Sequence, residues 1–153
     1  MVTNRFKVCR IPSKGLGLVA TDDIPPGQLI LQESPLVSVK LDSSGDLEGV
    51  TQPLGNGDTE IVVPQLVQEL NKMTDDGLAA FFSLSDFRHV AEGRRKTAYG
   101  ILKTNGFGMD GAQLSVFSTV ARINHSCQPN AHHYPTEGSM CVRKGLFVSA
   151  ART

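Results

Sequence analysis

Short runs of β-type apolar residues stand at both ends of the chain, and apolar residues recur at helical spacing in the middle, which predicts strands on either side of a helical block. Phe6 to Cys9 and Gly17 to Ala20 flank the turn-forming Pro12-Ser13-Lys14-Gly15 and predict a hairpin. Asp22-Asp23-Ile24-Pro25-Pro26-Gly27 predicts a tight turn, because proline presets φ and glycine accepts positive φ. Leu29 to Leu31 and Leu36 to Val39 follow as strands, with Pro35 between them marking a bend or an edge. Pro64 to Asn71 and Asp75 to Phe82 carry helical spacing, and Ser85 to Leu102 predicts a further helix broken near Gly93. The closing runs, Met140 to Arg143 and Leu146 to Ser149, are strand-like.

Two stretches lack such patterning. Leu41 to Asp58 shifts to Asp, Ser, Gly and Asn, which predicts a mobile loop. Gly106, Gly108 and Gly111 around Phe107 and Met109 predict a flexible connector, after which Leu114 to Ile123 leads into a polar segment. There is no internal repeat. The expected fold is therefore mostly β with a small helical insert at 63–102, the strands around Phe6 to Val39 packing near those around His132 to Val148.

With 153 residues, 40% of them hydrophobic, one domain with a real core is the default. Fifteen basic residues balance fifteen acidic ones, so the uniform basic field of nonspecific nucleic-acid binding is missing and direct contact with DNA or RNA is not expected. Every apolar stretch is interrupted short of the roughly 20 residues a membrane helix needs. The polar, basic start, Met1 to Arg10, is unlike a secretory signal. Three cysteines, Cys9, Cys127 and Cys141, fit free thiols better than a disulfide scaffold. Together these point to a soluble protein of the nucleus or cytoplasm.

Candidate chemistry concentrates in two places. Lys14-Gly15-Leu16-Gly17-Leu18 holds glycines that let backbone approach a ligand, although a G-x-G alone is equally an ordinary hairpin turn. A dinucleotide fingerprint is excluded, since its third glycine and following helix are missing. About a hundred residues later, Arg122-Ile123-Asn124-His125-Ser126-Cys127-Gln128-Pro129-Asn130 packs three amides, an imidazole, a hydroxyl and a thiol into one short segment. In order and separation these two motifs resemble those of the SET domain family of S-adenosylmethionine-dependent protein lysine methyltransferases.

The resemblance implies a β-clip SET architecture over residues 5–149, a cofactor pocket shaped by Lys14, Gly15, Leu16 and Gly17, and cofactor contacts from Asn124 and His125. Those two side chains offer an imidazole and amide donors and acceptors suited to the ammonium, carboxylate and adenine edges of S-adenosylmethionine. Cys127 is expected to pack inward. Partners would be protein substrates, histone or non-histone, presenting a lysine. Thr104-Asn105-Gly106-Phe107 resembles a segment of the subgroup carrying a MYND insert, which makes Asn105 a third candidate contact; a turn asparagine before glycine is the alternative. The MYND insert itself is missing, its place being taken by the cysteine-free Leu41 to Asp58. His125, Cys127, His132 and His133 also invite a zinc reading, but their spacing lacks the paired ligands of structural zinc sites, so no metal is expected. His132 and His133 should alternate across a strand.

After Arg143 the likeness stops. The family continues into an acidic turn and a strand bearing the tyrosine of the methyl-transfer site, whereas here Lys144-Gly145-Leu146-Phe147-Val148-Ser149-Ala150-Ala151-Arg152-Thr153 holds neither. The expectation is an incomplete domain that binds cofactor with little turnover. The alternative is a noncatalytic SET-derived interaction module that uses the scaffold without chemistry.

Overall fold

A hairpin opens the described chain. The computed structural model describes residues 5–54 and 59–145. In order, the strands are β1 (Phe6–Ile11), β2 (Gly15–Ala20), β3 (Leu29–Glu33), β4 (Val37–Lys40), β5 (Val50–Pro53), β6 (Thr59–Val62), β7 (Gly106–Met109), β8 (Gln113–Val116), β9 (Ala131–Thr136) and β10 (Ser139–Lys144). Four helices, α1 (Pro64–Asn71), α2 (Asp75–Phe82), α3 (Phe87–Glu92) and α4 (Ala98–Asn105), lie between β6 and β7, and a single 3-10 turn covers Val120–Arg122. The chain divides into two compact units, one built from residues up to Ser34 together with those from Arg122, the other from Pro35–Ala121.

In the first unit β1 and β2 pair antiparallel, with Ile11 opposite Gly15 and Cys9 opposite Gly17. Ser13 and Gly15 take positive φ in the connecting turn, which Lys14 closes by donating its N–H to the Ile11 carbonyl at 3.1 Å. A second sheet runs β3-β10-β9, all antiparallel. Its central strand β10 supplies the buried Met140, Cys141 and Val142, against which Leu31 of β3 is buried. The predicted turn before β3 is present: Gln28 donates to the Pro25 carbonyl, and Gly27 donates to that of Lys144. His132 and His133 are neighbours on the edge strand β9, as expected of a strand pair, and both are exposed.

In the second unit the core gathers Val37 and Val39 from β4, Val116 from β8, and Leu66, Leu70, Phe81, Ile101 and Leu102 from the helices. Leu66 and Leu70 sit one helical turn apart on α1, which starts with Pro64 where a missing N–H costs nothing. Thr74 caps α2 by accepting from the Gly77 N–H, with Asp75 and Asp76 favourably placed in its positive first turn. The expected break near Gly93 is real. Gly93 ends α3 in the left-handed conformation, and α4 begins at Ala98, capped by Thr97. The helices continue three residues past the expected boundary at Leu102, to Asn105.

Two expectations fail. Leu41 to Asp58 is not a featureless loop: Asp42 Oδ1 accepts from the N–H groups of Ser44 and Asp46, and Val50–Pro53 pairs with Thr59–Val62 as a β-ribbon. All four residues of β5 are exposed, so no apolar alternation announced the strand. Residues 55–58 of that stretch lie outside the described residues. The glycine-rich connector is likewise a hairpin, β7 pairing with β8, where glycines spare the strand side-chain bulk and thereby hid it from a propensity reading. The strand expected at Leu146 to Ser149, with the rest of the tail from Leu146, lies outside the described residues.

Asp86 ties the helices together. Only 2% exposed, its carboxylate accepts from the Arg88 and His89 N–H groups at the start of α3 and from the Thr97 N–H at the start of α4. The group fits only because residue 100 is glycine, since a Cβ there would overlap all three carboxyl atoms. Gly100→Ala should therefore expel the carboxylate, strand three N–H groups and destabilise the chain by about 3 kcal/mol. Denaturant titration beside Ser83→Ala, an exposed change at a neighbouring helix end, measures the difference; equal midpoints would refute the account.

Burial pushes the Asp86 carboxyl pKa upward, but the N–H groups of Thr97, His89 and Arg88 and the nearby His89 ring outweigh it and hold the pKa below its ordinary 3.8. A carboxyl depressed in the folded state stabilises fully above its unfolded value, and that stability is lost as pH falls through 3.8 toward the lower folded value. Asp86→Asn should be less stable at neutral pH, and its stability should fall less steeply than that of the parent chain on acidification through this window. Urea unfolding at a series of acidic pH values tests the difference in slope.

Candidate functional site

The turn and first residues of β2 meet the polar segment after Arg122 within the first unit. Gly17 is buried beneath Asn124: a Cβ at residue 17 would overlap Asn124 Nδ2 and Ile11 Cδ1. Into the space so provided, Asn124 Nδ2 reaches the Leu16 carbonyl at 3.4 Å, joining residues 108 apart in sequence. Gly15, two residues earlier, has no atom within 4 Å of where a Cβ would stand, and Lys14 and Leu16 are exposed. The strand therefore touches the polar segment at one point and leaves its neighbouring backbone open to solvent.

The polar segment has no regular structure but is braced locally. Gln128 donates its N–H to Ser126 Oγ at 3.2 Å, and Ser126 Oγ donates to the Gln128 carbonyl at 3.0 Å. Asn130 then accepts from the Gly145 N–H at 2.9 Å, fixing the end of the segment to the end of β10. Between these anchors His125 is exposed, its Nε2 3.6 Å from the sulfur of Cys127. Cys127 was expected to pack inward and instead is exposed, at the centre of the turn closed by Ser126 and Gln128.

Lys14, Gly15, Leu16, Gly17, Asn124 and His125 thus belong to one unit, and Asn124 touches the glycine strand directly. Asn105 belongs to the other unit. It is not a turn residue but the last residue of α4, buried, with Nδ2 donating to the carbonyls of Ser85 at 2.7 Å and Ile101 at 2.8 Å. Its amide nitrogen is committed to the fold. Tyr134 sits on β9, its hydroxyl accepting from Arg143 Nε at 2.5 Å, and Tyr99 packs against the core of the second unit. Among the described residues no group of three or more His, Cys, Asp or Glu is arranged to hold a metal, and no helix is long and apolar enough to cross a membrane.

The Ser126–Gln128 brace and the Gly145 tie were missed by sequence reasoning. A Ser-x-Gln with a following Pro is a signal for the first, through the hydroxyl's preference for backbone N–H groups two residues on; the second depends on the sheet and has no local signal.

The chain is 27% identical over 131 residues to the protein named Histone-lysine N-methyltransferase set5 of Schizosaccharomyces pombe, an alignment covering 86% of this chain and 34% of that protein. The chain thus spans about a third of the length of the curated relative it matches. Residues 15–151, which begin at the glycine strand, include the polar segment and run past Arg143, where the likeness was expected to stop, match the SET domain. With so much of its length matched and its two motifs in contact, the chain belongs to the SET domain family.

Proposed function

We propose that the chain is an S-adenosylmethionine-dependent protein lysine methyltransferase component whose cofactor side is built by β2 and the segment around Asn124. The observation that supports the reading most is the meeting of Gly17 and Asn124, with the Gly15 position open and the His125 imidazole exposed in the same unit. These groups suit the cofactor's chemistry. Lys14, Gly15, Leu16 and Gly17 would hold it through the main chain, and Asn124 and His125 through amide and imidazole hydrogen bonds to its carboxylate, ammonium or adenine edges. Bound there, the cofactor would supply a methyl group on a positive sulfur. Asn105 lies in the other unit and is a third candidate contact only through the likeness of Thr104-Asn105-Gly106-Phe107 to the MYND-bearing subgroup.

The substrate would be a protein lysine, on a histone in the nucleus or on another protein in the cytoplasm; the name of the fission yeast relative favours the histone. Transfer in line from sulfur to a neutral amine requires hydroxyl and carbonyl groups that align that amine. Tyr134 is engaged by Arg143 and Tyr99 belongs to the other unit, so neither is assigned that role here, and cofactor binding should exceed turnover.

Gly17→Ala and Asn124→Ala are expected to weaken S-adenosylmethionine binding about tenfold, by displacing or removing the amide, while costing the fold only about 1 kcal/mol. The fold cost is small because the atoms a new Cβ would meet are ends of side chains that can swing aside. Calorimetric titration measures the affinities. Radiolabelled methyl transfer to histones, run alongside, should show turnover far below that expected of a competent enzyme. Undetectable cofactor binding by the parent chain would instead favour a noncatalytic interaction module, and tight binding indifferent to both substitutions would place the cofactor elsewhere.

A further inference from the structure

The second unit carries a concavity that includes none of the candidate cofactor residues. It has a volume of about 680 Å³, within the range of ligand-binding clefts, and lies between β6 of the ribbon and the α3–α4 connection. Its charged lining is cationic in balance. Arg88, Arg94 and Arg95 face it, against Glu60 and Asp86. Asp86 is buried and its carboxylate is occupied by backbone N–H groups, so it offers little to a ligand. Glu60 holds Arg95 only at 3.8 Å, Arg94 pairs with Glu92, and Arg88 makes no ion pair among the described residues.

A second hollow, of about 450 Å³, shares Arg88 and Tyr99 with the first and continues past Phe87 to Lys103. Here the surface is unusually apolar: Phe87 is 67% exposed and Val90, one turn further along α3, 75% exposed. Exposed large apolar side chains beside a cationic cleft describe a surface that can desolvate one part of a partner while neutralising another. The ribbon adds a further element, since β6 pairs only with β5 among the described residues and Thr59, Glu60 and Ile61 line the cleft in succession.

We propose that this continuous surface is a docking groove for an extended acidic peptide segment carrying a large apolar side chain. Carboxylates of the segment engage Arg88 and Arg95 in charge-assisted hydrogen bonds, for which a planar guanidinium is better suited than an ammonium. The apolar side chain rests on Phe87 and Tyr99, with Lys103 at the far end. A segment in extended conformation also matches the free edge of β6. The chain's overall charge balance makes the preference local: a basic peptide meets the same groove with repulsion.

The test is fluorescence anisotropy with three labelled peptides of equal length: one of Glu and Asp with a single central Phe, the same with Phe replaced by Ser, and one with Lys in place of the acids. The first should bind and weaken as salt rises, the second should bind several-fold less tightly, and the third should not bind. Arg88→Glu and Arg95→Glu should each reduce affinity for the first peptide about tenfold or more. Lys72→Glu, an equal change of charge at an exposed residue outside the groove, should leave it unchanged. Thermal melts establish that the variants fold; Phe87→Ser, at an exposed position, gives a second variant that should lose only the contribution of the apolar side chain. Equal affinity for the acidic and basic peptides, an effect of Lys72→Glu as large as that of Arg88→Glu, or tighter binding of a single-stranded oligonucleotide than of the acidic peptide would each overturn the proposal. No cofactor is present in the assay, so its outcome is separate from that of the methyltransferase reading.

Discussion

The approach of Asn124 to Gly17 is the constraint on which the candidate site depends. A side chain of any size at residue 17 would occupy the space of the amide, and the Asn124–Leu16 hydrogen bond would open. That bond is long, and its energetic worth alone is modest. Its importance is positional. The segment after Arg122 has no regular secondary structure to fix it, so it is held at discrete points: Asn124 on the strand, Ser126 on Gln128, and Asn130 on the end of β10. Between the points, His125 and Cys127 are left exposed.

The second unit uses the same device for a structural end. Gly100 admits the Asp86 carboxylate as Gly17 admits the Asn124 amide, and in each case a polar group enters a place where a methyl group would be tolerated only by moving it. The difference lies in exposure. Asp86 is buried and its acceptor capacity is turned toward the N-termini of α3 and α4, so it can only organise helices. Asn124 is half-buried at the rim of an open strand, so it can organise the loop and still meet a ligand.

Local chemistry decided how much of this was legible in the sequence. Pro12 to Gly15 and Pro25 to Gly27 turn where their residue types require, and Leu66, Leu70 and the Gly93 break mark helices through spacing and φ preference. The ribbon at Val50–Pro53 was not legible because its strand is exposed on every residue and shows no alternation. The β7 hairpin was hidden by its glycines. At the site, the pairing of Gly17 with Asn124 followed from the family resemblance and the structure brings the two together; the exposure of Cys127 and the buried, internally bonded state of Asn105 depend on packing that no short motif encodes.

Charge gives the sharpest contrast between composition and surface. Equal numbers of acidic and basic residues remove a uniform field, and on that ground a polyanion spread over the whole molecule has nothing to grip. The balance is not evenly distributed. Phe87 to Lys103 contains Arg88, Arg94, Arg95, Lys96 and Lys103 against the single acid Glu92, and the folding of α3 back onto α4 around Asp86 brings several of these cations to one concavity. The carboxylate that organises the helices is buried in doing so and is withdrawn from competition with a ligand for the arginines. The interaction that gives this region its shape therefore also leaves its exposed surface more basic than its sequence, counted residue by residue, would suggest.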